Sequence, residues 1–220
     1  MKRYKCIVFD FDMTLADSAQ VIVKLLNQVA MHFGYQKQSF DFVIPCVGNT
    51  HENMLRHVTG ENDQEKLQVM GNYYREIIQE EMPRATTFFP NVDTCLSLLH
   101  EKNIKIGCLS IKPTNLLLAS LNKFNLSKFF SAVKGREDVP AQKPDPRALL
   151  FIIDELAVQK NKVLYVGDSL VDENTAKRAQ VDFIAMLLGA TKKKQFDANY
   201  TSGYFTNWKD FTGYIINKVD

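Results

Sequence analysis

Residues 6–18 read CIVFDFDMTLADS, and they set Asp10 and Asp12 two positions apart behind an apolar run, with Asp17 close after. Carboxylates this near repel one another, and a buried acid pair costs several kcal/mol unless compensated. Three further polar clusters recur along the chain: Ser110 with Lys112 in LSIKP and Asp168 with Asp172 in VGDSLVD follow apolar runs, and Lys143 in AQKPDP stands just before a helix. Gathered into one pocket, these side chains suit a single chemistry. Several carboxylates around an open oxygen-rich position fit Mg²⁺. A carboxylate held on the metal can attack phosphorus and form an acyl-phosphate, which divides a hard hydrolysis into two easier steps. Ser110 and Lys143 offer a hydroxyl donor and a fixed positive charge for the phosphoryl oxygens. A second carboxyl beside the nucleophile, Asp12, can protonate the leaving alcohol and later take a proton from water.

For these clusters to meet, the chain must bring distant strand ends together. YKCIVFDF is a short β-branched and aromatic run suited to a buried parallel strand. IKIGCLS, FSAVKG, KVLYVGDS and DFIAMLLG read as further strands, separated by helical stretches such as PTNLLLASLNKF and DPRALLFIIDELAV. This alternation predicts an α/β fold with a parallel sheet and helices on both faces. Ligands in such sheets bind at the carboxyl ends of the strands, where all four clusters fall. The span from Asp17 to Phe88 shows no clear strand. It predicts helices from Ser18 to Gly34, from Thr50 to Gly60, and a third ended by Pro83. The expected organisation is an α/β core of residues 1–16 and 87–220, and an α-helical cap of residues 17–86 hinged near 16–18 and 86–90.

Composition narrows the field further. The 220 residues are 45% hydrophobic with a net charge of +2, which is enough for a sizeable core and gives no reason to expect nucleic-acid or membrane partners. Cys6, Cys46, Cys95 and Cys108 form no C-x-x-C pair and read as buried, reduced thiols. The apolar run before Asp10 is shorter than the roughly 7–15 residues of a signal core. No stretch approaches the ~18 apolar residues of a membrane span. A cytoplasmic protein is expected.

In their order, DFDMTLADS, LSIKP, KPDP and GDSLVDENTA resemble the four motifs of the haloacid dehalogenase-like (HAD) hydrolase superfamily. The helical segment after the first motif resembles that superfamily's small α-helical cap. Within it the chain looks most like the phosphoglycolate phosphatases and their β-phosphoglucomutase relatives. The resemblance implies a Rossmann-like core, with Asp10 as nucleophile, Asp12 as acid/base and Thr14 supporting the acidic turn. It also implies phosphate binding at Ser110 and Ile111, and makes Lys143 the partner of both phosphate and nucleophile. Mg²⁺ would be held by the side chains of Asp10 and Asp168 and the backbone carbonyl of Asp12, with Asp172 at the metal's edge. PCVGNTHENMLRH resembles the cap segment facing the substrate, which makes Gly48, Asn49, His51 and Arg56 candidates. Four positions depart from the family's pattern. Met13, Asn91 and Gln180 stand where glycine is frequent, and Ile111 replaces a frequent asparagine.

The expected function is a Mg²⁺-dependent phosphatase acting on a small phosphate monoester, phosphoglycolate-like or a sugar phosphate, through an aspartyl-phosphate. A β-phosphoglucomutase-like sugar phosphomutase and a pyrophosphatase are the alternatives. A receiver-type signalling domain shares the acidic pocket but has nothing like Asp12 beside its phosphoacceptor, nor a helical cap. The expected partner is a small phosphorylated metabolite, with monomer or weak dimer left open. Asp17 and Ser18 are expected as caps of the first helix. Lys112 reads equally as a solvated loop residue or a phosphate partner, and TKKKQ at 191–195 as a solvated run. The aromatic tail reads as a last helix packed on the sheet.

Overall fold

The computed structural model describes residues 3–219. Its strands are β1 (Cys6–Phe9), β2 (Ala16–Asp17), β3 (Thr87–Phe88), β4 (Lys105–Leu109), β5 (Ala132–Lys134), β6 (Val163–Gly167), β7 (Asp182–Met186) and β8 (Tyr204–Phe205). The helices between β2 and β3 are α1 (Ala19–His32), α2 (Phe40–Val43), α3 (His51–Thr59) and α4 (Gln64–Ala85). Those that follow are α5 (Val92–Glu101), α6 (Thr114–Lys123), α7 (Pro146–Glu155), α8 (Leu170–Ala179) and α9 (Trp208–Ile215). Six strands build one parallel sheet in the order β5-β4-β1-β6-β7-β8. This is the α/β architecture expected from the sequence.

Alternation along β1 explains how both faces are closed. Ile7 and Phe9 join the apolar cluster that receives α5, α6 and α9, while Cys6 and Val8 join the one that receives α7 and α8. All four β1 residues are fully buried, as a central parallel strand requires. The aromatic tail contributes more than packing. Trp208 is buried against Phe9 and Phe211, and its indole N–H donates to the Thr14 carbonyl at 3.0 Å. It therefore anchors the acidic turn that leaves β1. Phe11 secures the same turn, its carbonyl accepting from the backbone N–H groups of Leu15 and Ala16. The four cysteines are buried and free. Among the described residues no helix is long and apolar enough to cross a membrane.

Helices α1 to α4 pack around an apolar cluster of their own that includes Leu25, Leu26, Leu55, Leu67 and Ile78. Here the structure corrects several expectations. Pro83 lies inside α4 rather than ending it, and the helix runs on to Ala85. Lys123 from α6 donates to the Pro83 and Arg84 carbonyls, satisfying the helix end electrostatically. The two crossings between the helices and the sheet are not bare hinges. They pair as a two-stranded antiparallel ribbon, Ala16 opposite Phe88 and Asp17 opposite Thr87. Asp17 is thus an exposed strand residue and not a helix cap. Ser18 occupies the N-cap position of α1 but makes no side-chain cap; its hydroxyl donates instead to Asp12.

Met13, Asn91 and Gln180 share one property: each has a left-handed backbone, with φ of 60°, 69° and 58°. The turns favoured by glycine persist with side chains in place, at a cost of roughly 1–2 kcal/mol per residue where no local hydrogen bond offsets it. Trp208 is the chain's one tryptophan. Its replacement, Trp208→Ala, is expected to lower the unfolding free energy by about 3–5 kcal/mol. Urea unfolding followed by circular dichroism measures this.

Candidate active site

Parallel register puts the strand ends level. Phe9 lies opposite Cys108 on β4 and Val166 on β6, and the Asp10 N–H donates to the Val166 carbonyl at 2.9 Å. Asp10, Ser110 and Asp168 therefore leave three adjacent strands at one height. Lys143, from the loop before α7, reaches into the space between them. Its ammonium donates to Asp10 at 2.7 Å, Asp172 at 2.6 Å and the Tyr165 hydroxyl at 3.1 Å. Lys112 is buried and donates to Asp12 at 2.7 Å, which excludes a solvated loop role. Asp12 is thus held from two sides, by Lys112 and by Ser18. Two glycines make room for the acids. A β-carbon at Gly167 would lie 2.5 Å from the Asp172 side chain, and one at Gly189 would lie 1.9 Å from Asp168 Oδ2.

Oxygens of Asp10, Asp168 and Asp172 come within 4.8 Å of one another, all three residues being buried. Burial pushes the Asp10 carboxyl up to about 7, Lys143 pulling it down and Asp172 pushing it further up. Asp168 is driven well above the usual carboxylate range, by burial first and then by Asp172 and Asp10. Burial alone would lower the Lys143 ammonium, but Asp10 and Asp172 outweigh it and hold the lysine well above its ordinary value. Four carboxylates here face two ammonium groups. Asp168 receives one long side-chain hydrogen bond, from Thr14 at 3.4 Å. An all-oxygen donor set with uncompensated negative charge fits a hard divalent cation. Asp172 is the most fully engaged of the three, accepting from Lys143, Tyr165 and Ser169. That leaves Asp10 and Asp168 as the freer ligands.

Above the acids lies a narrow cavity of about 60 Å³, roofed by α1, α3, α4 and the segment 47–49. Gly48, Asn49 and His51 line it, as does Ile111 beside Ser110. Arg56 does not. It lies on the far face of α3, bonded to Asn53 at 2.8 Å, because one helical turn separates the two. Residues that sequence reasoning missed are Ser18 and Tyr74. Arg136, at the cavity's flank, was missed as well; its guanidinium lies 3.4 Å from His51 Nδ1. Tyr74 sits in the apolar stripe of an amphipathic helix, where nothing in the pattern separates a lining tyrosine from a packing one. Arg136 follows a three-residue strand too short to carry a pattern.

The chain belongs to the haloacid dehalogenase-like hydrolases: the family model of that description matches residues 7–186. It is an enzyme, a phosphatase of this type. It is 25% identical to the phosphoglycolate phosphatase of Photorhabdus laumondii, over 98% of this chain and 94% of that protein. It is 26% identical to the phosphoglycolate phosphatase of Pseudomonas fluorescens, over 84% of this chain and 70% of that one. Among solved structures, a protein of Bacteroides fragilis assigned as a haloacid dehalogenase-like hydrolase superposes with a TM-score of 0.90. The two are 32% identical, and the match covers 95% of this chain and all of that one, 100%. A predicted phosphoglycolate phosphatase of Haemophilus somnus shares the fold, with a TM-score of 0.86 and 20% identity over 97% of this chain and 99% of that one.

His51 is 8% exposed. Burial, reinforced by the positive charge of Arg136, pushes its ring from 6.5 down to about 4. Arg136 can only donate, so Nδ1 accepts and Nε2 carries the hydrogen of the neutral ring. Between pH 6.5 and about 4 the unfolded chain binds a proton that the folded one refuses. Stability from this group is complete above that window and is lost as the pH falls through it, by up to about 3 kcal/mol. Unfolding free energies measured from pH 7 to 4 should therefore fall less steeply in His51→Gln than in the native protein.

Proposed function

We propose that the chain is a Mg²⁺-dependent phosphatase that hydrolyses a small phosphate monoester through an aspartyl-phosphate on Asp10. One observation carries this reading: a buried Asp10 held by Lys143, with Asp12 two residues on and Asp168 alongside. Asp10 supplies the attacking oxygen, and the bond from phosphorus to the ester oxygen breaks as the new one forms. Asp12 gives its proton to the departing alkoxide. In the second half, Asp12 takes a proton from water as that water displaces Asp10, and inorganic phosphate leaves. Lys143 and the Ser110 hydroxyl balance charge on the phosphoryl oxygens throughout. Mg²⁺, bound by the Asp10 and Asp168 carboxylates and the Asp12 carbonyl, would supply charge neutralisation at the phosphoryl group.

Residues 17–86 serve in this reading as a cap domain that closes over the site and excludes water while the aspartyl-phosphate forms. A mutase or pyrophosphatase reaction would put a second phosphate in the cavity. Lys143 serves the one phosphoryl group, and Lys112, the other ammonium lining the cavity, is engaged by Asp12, which leaves no free cation there for a second phosphate and favours monoester hydrolysis. Asp10→Asn is expected to lower phosphate release by about 10³-fold or more, and chelation of Mg²⁺ to abolish it. Full Mg²⁺-dependent turnover by Asp10→Asn would end the proposal. Orthovanadate with Mg²⁺ is expected to reduce the radius of gyration in solution scattering; an unchanged profile counts against the closing cap.

A further inference from the structure

The two walls of the catalytic cavity differ in character. Every charged side chain that lines it comes from the sheet side: Asp10, Asp12, Lys112, Lys143 and Asp168. The opposite wall is aliphatic, built from Ile22, Met54, Ile78 and Met82 and continued by Leu116 of α6, each no more than 5% exposed. Cations of the helical layer are turned elsewhere. Arg75 is held by Glu52 at 3.3 Å, and Arg56 by Asn53. Arg136 lines a neighbouring opening beside Glu52 and Glu137, with His51 standing between it and the catalytic cavity. The polar atoms this wall does offer are uncharged.

Tyr74 is the second observation. It is 3% exposed and lines the cavity, its ring edge-on to His51 at 4.9 Å. Its hydroxyl makes no hydrogen bond to another described residue and, unlike Thr86 Oγ1, is not a sealed-off polar atom, so it is left open to an occupant of the cavity it lines. A phenol at this place can give or take one hydrogen bond with whatever occupies the space above the acids.

The geometry points to a leaving group that is a small uncharged alcohol: its mainly aliphatic chain lies against Ile22, Met54, Ile78, Met82 and Leu116, and one oxygen meets the Tyr74 hydroxyl. This rests on the phosphatase reading above and narrows its substrate. A carboxylate in the leaving group would be stripped of water against an aliphatic wall without a cation. The enzyme therefore discriminates against phosphoglycolate.

Calorimetric titration of the full chain with Mg²⁺ separates the possibilities, using propylphosphonate, 3-hydroxypropylphosphonate and phosphonoacetate as non-hydrolysable probes. Both propyl compounds are expected to bind at least about tenfold tighter than phosphonoacetate. Tyr74→Phe is expected to reduce the preference for the hydroxypropyl over the propyl compound by about 2–10-fold. Phosphonoacetate binding as tightly as the propyl compounds, or an unchanged preference in Tyr74→Phe, overturns the inference. Phosphate release from propyl phosphate, 3-hydroxypropyl phosphate and phosphoglycolate runs in parallel. If the binding order holds but no ester is cleaved, the phosphatase reading falls and the subsite stands. Should phosphoglycolate be cleaved best, the subsite falls and the phosphatase reading stands.

Discussion

The ammonium of Lys143, buried between Asp10 and Asp172, is the contact on which the rest of the site depends. Taking one ammonium and two carboxylates out of water is expensive, and their mutual attraction repays it only when the geometry is good and the remaining lone pairs are met. They are met at Asp172: Tyr165 bonds both Lys143 and Asp172, and Ser169 closes the other side of Asp172, while the Asp10 side chain keeps its bond to Lys143 and an open oxygen. The cluster also joins three parts of the chain that are far apart in sequence, the end of β1, the loop before α7 and the first turn of α8. Loss of any one partner leaves an uncompensated buried charge. The price of assembling the site is thus charged to the fold as a whole.

Burial works in two directions within this cluster. It raises Asp10 and Asp168, so that neither acid is comfortable as a bare anion. It also lowers the local dielectric, which strengthens each attraction that a cation or a phosphoryl group would bring. An arrangement that is frustrated by itself is thereby complementary to a positively charged occupant. The indole of Trp208 contributes from beneath by holding the turn that carries Asp12 and Thr14.

Much of this was legible in the sequence, and for identifiable reasons. Strands such as β1 and β6 are continuous apolar runs ending in acids, a pattern that burial on both faces dictates. Helix α3 shows its limits in Thr50, which caps it, and in Gly60, which ends it left-handed. What remained hidden lay in elements shorter than any period or in side chains with two meanings. The ribbon of β2 and β3 is two residues per strand and has no pattern to read. Ser18 looked like a helix cap because serine is one by default, and only its distance to Asp12 reveals otherwise. Pro83 looked like a helix end because the lysine that satisfies the last carbonyls comes from α6, 40 residues away for the Pro83 contact. Tyr74 and Arg56 traded places for a related reason: a helix presents residues by angle, and the sequence does not say which side the cavity is on.

Gly189 is no part of any acidic motif, yet its missing side chain is the space that Asp168 occupies. The loop after β7 therefore works as a mould for a carboxylate at the end of the preceding strand, β6. A side chain at 189 would overlap Asp168 Oδ2 and force that carboxylate to turn, while leaving every aspartate, serine and lysine of the site in the sequence. A homologous protein with all the recognised residues and a substituted glycine here would carry the same motifs around a differently turned carboxylate. For this fold, inheritance of activity is written partly in what is absent.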